Sequence, residues 1–167
     1  MKTSKSNLVL IGMPGSGKST VGILLAKKTS LDFIDTDVVI QSMAHRSLQD
    51  IIDKEGYMSL REIEEKAILS LKVNDTVIAT GGSVVYSEKS MAHLSRNSTI
   101  IFLNLSLDSL RNRINDYDER GIARRPDQSF EDLFQERSIL YHKHAEVIID
   151  CEGKSQEAVC SAILQSL

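Results

Sequence analysis

The sequence contains no tryptophan, and cysteine and proline occur only twice each among its 167 residues. Cys151 and Cys160 lack CxxC spacing and indicate no disulfide framework, so we expect small buried side chains or unreactive surface thiols. Long apolar runs are also missing, which excludes a membrane-spanning helix of about 20 residues. The formal net charge of −3 gives no broad basic surface for nucleic acid. Composition therefore predicts a soluble globular protein of ordinary type.

The length suits a single domain, residues 1–167, with a core large enough to need no cross-links. The first six residues are polar and lead into an apolar segment too short for a signal region. We therefore expect a cytoplasmic monomer that binds a small molecule and contacts neither membrane nor nucleic acid.

Short β-rich runs alternate with longer helical patterns, which predicts an α/β fold with a parallel sheet. Strands are predicted at 7–11, 32–34, 76–79, 99–104 and 146–150, the last three apolar enough to be buried on both faces. Helices are predicted at 17–29, 37–43, 47–72 with a break near Gly56, 107–114, 129–144 and 155–167, with Ser47, Ser129 and Ser155 as N-caps. Residues 115–128 lack periodicity. A loop this long is typical of a lid or a disordered segment, and we place a lid at about 116–128.

Residues 12–19 read GMPGSGKS and fill every fixed position of G-x-x-x-x-G-K-[ST], directly after an apolar strand. Glycine lets backbone N–H groups surround a phosphate, and the next helix adds its N-terminal partial charge. We therefore predict a nucleotide site in which Lys18 reaches the β- and γ-phosphates and the Ser19 hydroxyl binds Mg²⁺. ATP and Mg²⁺ are the predicted cofactors, and the predicted contacts in this loop are Gly12, Gly15, Ser16, Gly17, Lys18, Ser19 and Thr20.

Polar or small residues also follow the second and third predicted strands. Ligands of open parallel sheets bind at the carboxyl ends of the strands, so Asp35 and Asp37 are candidates to support Mg²⁺ and to orient an attacking hydroxyl. Their alternative is a solvated turn or the N-cap of the next helix. Gly81 and Gly82 permit a substrate to approach the backbone closely, or they form an ordinary turn.

Several further segments complete a family pattern: FIDTD at 33–37, IIDKEGYMSLREIEE at 51–65, ATGG at 79–82, RP at 125–126 and ERSILY at 136–141. With the phosphate loop, in this order and spacing, the chain resembles the shikimate kinases over nearly its whole length. The resemblance implies a fold like that of nucleoside monophosphate kinases, with three α/β/α layers, a five-stranded parallel sheet and a mobile lid. It also implies transfer of the ATP γ-phosphate to a hydroxyl of shikimate, a precursor of the aromatic amino acids.

The same resemblance implies roles for individual acceptor-site residues. Asp35 supports Mg²⁺ through water, and Asp37 holds the substrate hydroxyls and is a candidate base. Arg61 and Arg137 clamp the substrate carboxylate, and the planar guanidinium group suits that pairing. From the residues alone, the favoured interpretation of each arginine is instead a surface helix residue in an i,i+4 pair. Gly81 and Gly82 line the same pocket.

On the nucleotide side, the resemblance implies that the lid residue Arg125 reaches the transferring phosphate. Arg113 is implied to stack on adenine, and Lys154 falls where the adenine loop of the family runs. Charge neutralisation by Arg125 at the phosphate contributes several kcal/mol in sites of this kind.

Two departures leave the acceptor open. Ser83 stands where the family has a third glycine, and the lid reads RPDQ at 125–128, where two apolar residues usually follow the Arg-Pro pair. A related polyol or sugar-acid kinase, such as a gluconate-kinase-like enzyme, is therefore an alternative. A nucleotide-binding protein without turnover is another, although Lys18, Asp37 and Arg125 argue for catalysis. A GTPase is excluded because no N-K-x-D segment is present.

Overall fold

The computed structural model describes residues 5–114 and 120–167. Within them, five parallel strands form one sheet in the order β2-β3-β1-β4-β5. The strands are β1 (Asn7–Ile11), β2 (Asp32–Asp35), β3 (Thr76–Ala79), β4 (Ser98–Asn104) and β5 (Val147–Asp150). The helices are α1 (Lys18–Thr29), α2 (Thr36–Ala44), α3 (Leu48–Glu55), α4 (Tyr57–Ser70), α5 (Glu88–Ser95), α6 (Leu107–Arg113), α7 (Phe130–His144) and α8 (Gln156–Ser166), with a 3₁₀ turn at Val84–Tyr86.

All five predicted strands are confirmed, with ends that differ by one residue at most. The predicted helices are present as well, and Gly56, at φ +87°, separates α3 from α4 where the break was expected. Ser47, Ser129 and Ser155 each accept a backbone hydrogen bond as N-caps. Capping satisfies N–H groups that the first helical turn leaves without partners.

Two parts of the sequence-based prediction need correction. β5 is not buried on both faces, because it pairs only with β4 at the sheet edge, and Ile148 is exposed whereas Ile149 is buried. The α5 helix and the 3₁₀ turn before it were not predicted. They are short, and only Met91 and Leu94 of α5 are apolar residues buried in the core, which is too little for a recognisable period.

The sheet register shows that helices cover both of its faces. Leu10 of β1 pairs with Ile101 of β4, so the two side chains point to the same face of the sheet. Phe102 follows Ile101 in β4 and therefore points to the opposite face. A Cβ on Gly22 of α1 would lie 3.5 Å from Leu10, whereas Phe102 stacks on Tyr141 of α7 at 5.1 Å between ring centroids. Helices α1 and α7 thus lie on opposite faces, which confirms the three-layer α/β/α prediction.

The predicted lid is described only from residue 120 onward, and residues 115–119 lie outside the described part. Its described portion contacts the body of the domain. Gly121 N donates to Gln49 Oε1 at 2.9 Å, and the carbonyl of Ala123 accepts a hydrogen bond from Arg137 at 2.7 Å. Whether the segment moves on ligand binding stays a prediction.

Cys151 and Cys160 are both buried and unpaired. Of the two expectations for them, this agrees with small buried side chains rather than with surface thiols. The helices within residues 5–114 and 120–167 are all too short or too polar to cross a bilayer.

We predict that Gly22→Ala destabilises the protein although alanine has the higher helix propensity. An added Cβ would lie 2.6 Å from Cε2 of Phe33, and overpacking of this kind costs about 1–3 kcal/mol. That exceeds the gain of about 1 kcal/mol from propensity. Urea unfolding measures the change. In a Phe33→Leu background, which removes the ring, Gly22→Ala should cost less, and a stabilising effect in the wild-type background would contradict the packing argument.

Candidate functional site

The segments that follow β1, β2 and β3 meet at the carboxyl edge of the sheet and border a cavity of about 410 Å³. The rest of its wall is formed by residues 120–123, Leu48 of α3, Leu60 and Glu64 of α4, and Arg137 of α7. Among the described residues, its ionisable lining consists of Lys18, Asp37, Glu64, Arg120 and Arg137. Cations and carboxylates therefore share one concave site, which is where an open parallel sheet binds its ligands.

The phosphate loop folds around its own lysine. Lys18 Nζ donates hydrogen bonds to the carbonyl oxygens of Gly12 at 2.8 Å and Met13 at 2.9 Å. Gly15, at φ +83°, allows the tight turn that aims these groups inward. Burial lowers the pKa of Lys18 to about 8, and the charge of Asp37 opposes that shift. The ammonium group is thus held inside the loop beside the space for a phosphate.

Asp35 and Asp37 face different neighbours. Ser19 Oγ donates to Asp35 Oδ2 at 2.5 Å, and the backbone N–H of Asp37 donates to Asp35 Oδ1 at 2.9 Å, so Asp35 also caps α2. Asp37 lines the cavity itself. Burial, and next the charge of Asp35, raise the pKa of Asp37, whereas Lys18 lowers it.

Glu64 is a second buried carboxylate in the cavity. One of its oxygens, Oε2, accepts a hydrogen bond from the hydroxyl of Ser83. The other, Oε1, would lie 2.6 Å from a Cβ on Gly81, and Asp37 Oδ1 would lie 2.9 Å from the same atom. Burial raises the pKa of Glu64 to about 7, the Ser83 hydrogen bond opposes this, and the charge of Asp37 adds to it. Gly81 thus leaves the space between two carboxylates open.

Arg137 is a second buried cation of the cavity, and only 1% of it is exposed. Its Nη2 donates to the carbonyl of Ala123 at 2.7 Å, and Nη1 would lie 2.6 Å from a Cβ on Gly82. Tyr141 Oη donates to the carbonyl of Gly82 at 2.7 Å and fixes this turn. A side chain at position 82 would displace the guanidinium group.

Arg61 and Arg137 meet at one aromatic ring. The Cζ atom of Arg61 lies 3.7 Å from the ring centroid of Tyr86, and that of Arg137 lies 5.5 Å from it. Of these two arginines, Arg137 lines the main cavity, whereas Arg61 lines a neighbouring cavity of about 340 Å³. Glu64 and Ser83 line both cavities and separate them.

Arg125 lies outside the main cavity in this structure. Its Nη1 pairs with Glu136 Oε2 at 3.4 Å, and about half of its side chain is exposed. Tyr86 Oη donates to Glu136 Oε1 at 2.5 Å, and this hydrogen bond lowers the pKa of Glu136. Glu136 therefore connects the segment that carries Arg125 to the ring against which Arg61 and Arg137 lie.

Arg113 and Lys154 lie near each other beyond the phosphate loop. Burial raises the pKa of the Cys151 thiol to about 11, and the charges of Arg113 and Lys154 both lower it. Ile114, the residue after Arg113, lies against the phosphate loop. A Cβ added to Gly15 would lie 2.7 Å from its Cγ1 atom. Arg113, the last residue of α6, therefore lies next in the chain to a residue packed on the phosphate loop, and Lys154 lies in the segment after β5.

The structure brings most of the predicted residues together. Gly15, Gly17, Lys18, Ser19, Thr20, Asp37, Gly81, Gly82 and Arg137 line the main cavity. Gly12 and Ser16 contact Lys18 within the loop, and Asp35 contacts Ser19. Neither the cavity lining nor these hydrogen bonds include the four remaining predicted residues, Arg61, Arg113, Arg125 and Lys154.

Three residues of the site were not predicted from the sequence: Glu64, Tyr86 and Glu136. Glu64 had a readable signal, because it lies on the face of α4 that also buries Leu60, Ala67 and Ile68, and a charged residue on a core face is rarely without a role. Tyr86 and Glu136 carry no such signal, since their contact joins elements 50 residues apart.

We predict that the stability of the protein falls between about pH 4.5 and pH 7 through Glu64. The folded state binds the proton of this carboxyl more tightly than the unfolded state, since its pKa rises from 4.5 to about 7. The contribution of Glu64 to the free energy of unfolding is therefore fully present below about pH 4.5. It is lost as the pH rises through the folded-state pKa of about 7. Glu64→Gln should remove this contribution, about 3 kcal/mol.

Urea unfolding at a series of pH values measures the effect. Glu62→Gln, at an exposed position on the same helix, is the control and should keep the wild-type profile. Identical pH profiles for the wild type and Glu64→Gln would refute the assignment.

Comparison with known proteins places this site in a family. The family model for shikimate kinase matches residues 14–167. A shikimate kinase of Thermodesulfovibrio yellowstonii is 36% identical over 95% of this chain and 93% of its own length. A shikimate kinase of Paracidovorax citrulli is 35% identical over 100% of this chain and 94% of its own.

Solved structures agree with the sequence comparison. The shikimate kinase of Aquifex aeolicus has a TM-score of 0.81 and 33% identity, over 96% of this chain and 95% of that one. Shikimate kinase from Acinetobacter baumannii, solved in complex with shikimate, has a TM-score of 0.84 and 26% identity, over 96% and 92%. With its phosphate loop, its paired carboxylates and its buried arginine at the corresponding edge of the sheet, this chain belongs to the shikimate kinase family.

Proposed function

We propose that this protein transfers the γ-phosphoryl group of ATP to a ring hydroxyl of shikimate, a step toward the aromatic amino acids. The observation that carries the proposal is the pairing, in one cavity, of a phosphate loop with a carboxylate, Asp37, and a buried guanidinium group, Arg137. A hydroxy acid needs both an acceptor for its hydroxyl proton and a cation for its carboxylate. Membership of the family supports the same conclusion.

At the nucleotide end, Lys18 and the loop N–H groups bind the phosphates, and Arg113 and Lys154 lie where the nucleoside would extend. The oxygens of Ser19 and Asp35 fit Mg²⁺, because they are adjacent hard ligands, and Mg²⁺ is usually held by few protein groups together with waters and phosphates. Bound Mg²⁺ supplies neutralisation of phosphate charge.

At the acceptor end, Asp37 accepts the proton of the attacking hydroxyl. Its raised pKa makes it a better proton acceptor than an exposed aspartate, and the charge of the nearby Lys18 limits that rise. Arg137 binds the carboxylate of shikimate, while Gly81 and Gly82 leave room for the ring. The hydroxyl oxygen then bonds to the γ-phosphorus, and ADP leaves with the electrons of the broken P–O bond.

Arg61 and Arg125 take their roles after a rearrangement. Arg125 leaves Glu136 and reaches the transferring phosphate as the segment at about 116–128 closes over the ligands, which also excludes water. Arg61 turns from the Tyr86 ring to share the substrate carboxylate with Arg137. We also propose that the protein acts as a monomer in the cytoplasm and requires neither membrane nor nucleic acid.

A coupled assay of ADP release with shikimate, gluconate and related polyols tests the proposal. Turnover should require shikimate, and Lys18→Ala should lower it at least ~100-fold while the unfolding curve stays intact, because one preorganised cation at the phosphate is lost. Lys27→Ala, at an exposed position of the same helix, is the matched control. Turnover with gluconate alone would identify a sugar-acid kinase, and no turnover with any acceptor would favour a nucleotide-binding protein.

We predict that Arg137→Lys raises the KM for shikimate about 10- to 100-fold, because a point charge on a flexible stem cannot replace the planar fork. Arg61→Lys should raise it by a similar factor if Arg61 moves to the carboxylate as proposed. Steady-state kinetics with each substrate varied measures both changes. The KM for ATP should stay within about twofold. An equal rise in both KM values would show that the arginines do not act on the acceptor alone.

A further inference from the structure

We infer that Ser83 is a positioning residue that sets the affinity and selectivity for the acceptor by holding Glu64 in place beside Asp37. This inference rests on the proposed function. Its basis is the hydrogen bond from the Ser83 hydroxyl to Glu64 Oε2 in the wall of the main cavity.

Among the described residues, the hydroxyl of Ser83 makes no hydrogen bond other than the one to Glu64. Ser83 precedes the 3₁₀ turn as its N-cap residue, yet its side chain makes no capping hydrogen bond there. The turn is held through the backbone instead, since the N–H of Tyr86 donates to the carbonyl of Ser83 at 3.1 Å. Ser83 is only 8% exposed, and its hydroxyl donates its hydrogen bond to the carboxylate of Glu64.

Glu64 in turn depends on Ser83. Within residues 5–114 and 120–167, the Ser83 hydroxyl is the hydrogen-bond donor that the structure gives to this buried carboxylate. Because Oε2 is engaged, Oε1 is directed to the space above Gly81, which it shares with Asp37 Oδ1. Neighbouring hydroxyls on a ring can donate to the two oxygens together. The pair therefore favours an acceptor with at least two adjacent hydroxyl groups.

Electrostatics gives the hydrogen bond a second effect. The charged and titratable groups around Glu64 are Asp37 of α2, Lys18 of α1, Arg61 of α4, and Arg137 and Tyr141 of α7. Asp37 and burial favour the neutral form of Glu64, whereas Ser83, Arg137 and Arg61 favour the ionised form. Removal of the hydroxyl should raise the pKa of Glu64 and release the side chain toward the arginines.

The experiment compares Ser83→Ala, Ser83→Thr and Ser90→Ala by steady-state kinetics. Ser83→Ala should raise the KM for the acceptor about 5- to 20-fold, with kcat within about threefold and an unchanged KM for ATP. In Ser83→Ala, the decrease of kcat/KM at low pH should begin at a higher pH than in the wild type. Ser83→Thr keeps the hydroxyl and should stay within about threefold of the wild type in KM.

Ser90→Ala is the matched control, because Ser90 is a fully buried serine whose hydroxyl has no hydrogen-bond partner among the described residues. It makes the same chemical change without loss of a contact and should leave the KM unchanged. A wild-type KM in Ser83→Ala, or an equal loss in Ser83→Ala and Ser83→Thr, would overturn the inference.

Failure of the proposed function gives a different result. If the wild type does not phosphorylate shikimate, that proposal fails, and the same comparison is made with the acceptor identified in the ADP-release assay. The Ser83 inference fails when the wild type is active and either Ser83→Ala keeps the wild-type KM or Ser83→Ala and Ser83→Thr lose affinity equally.

Discussion

Four ionisable groups in one cavity, three of them buried, impose the main constraint on this protein. They are two cations, Lys18 and Arg137, and two carboxyl groups, the half-buried Asp37 and the buried Glu64. Isolated charges of this kind are costly away from water, so each needs a partner. The loop carbonyls solvate Lys18, the Ala123 carbonyl solvates Arg137, and Ser83 solvates Glu64. A ligand with phosphates at one end and hydroxyl and carboxylate groups at the other complements this arrangement.

The position of the charges follows from the sheet. Because β1 lies at its centre and is buried throughout, the phosphate loop that follows it starts from a rigid strand end. Glycines keep the neighbouring segments close: Gly81 and Gly82 border the carboxylates and Arg137, and Gly22 lets α1 pack near Phe33. The site is thus preorganised on its nucleotide and acceptor sides, while Arg125 is held by Glu136 outside the cavity.

The sequence was sufficient to predict the elements and the loops that carry the site, because the phosphate loop, Asp35, Asp37 and the glycines at 81–82 all follow strands. Arg137 was predicted through family resemblance. Tyr86 and Glu136 could not be predicted, since their contact depends on how α7 packs against a 3₁₀ turn. The burial of β5 was mispredicted for a similar reason: apolar composition does not reveal that a strand lies at the sheet edge. Local patterns define elements, whereas strand order and helix packing define contacts.

The most direct test of phosphoryl transfer to shikimate is a ³¹P NMR measurement of the products formed from ATP and shikimate in the presence of Mg²⁺. We expect a new phosphate monoester signal that appears together with ADP in equal amount, because the cavity directs the phosphoryl group to a ring hydroxyl and excludes water. ADP accompanied by inorganic phosphate, without an ester signal, would contradict the claim that the carboxylates and arginines of this cavity hold the acceptor.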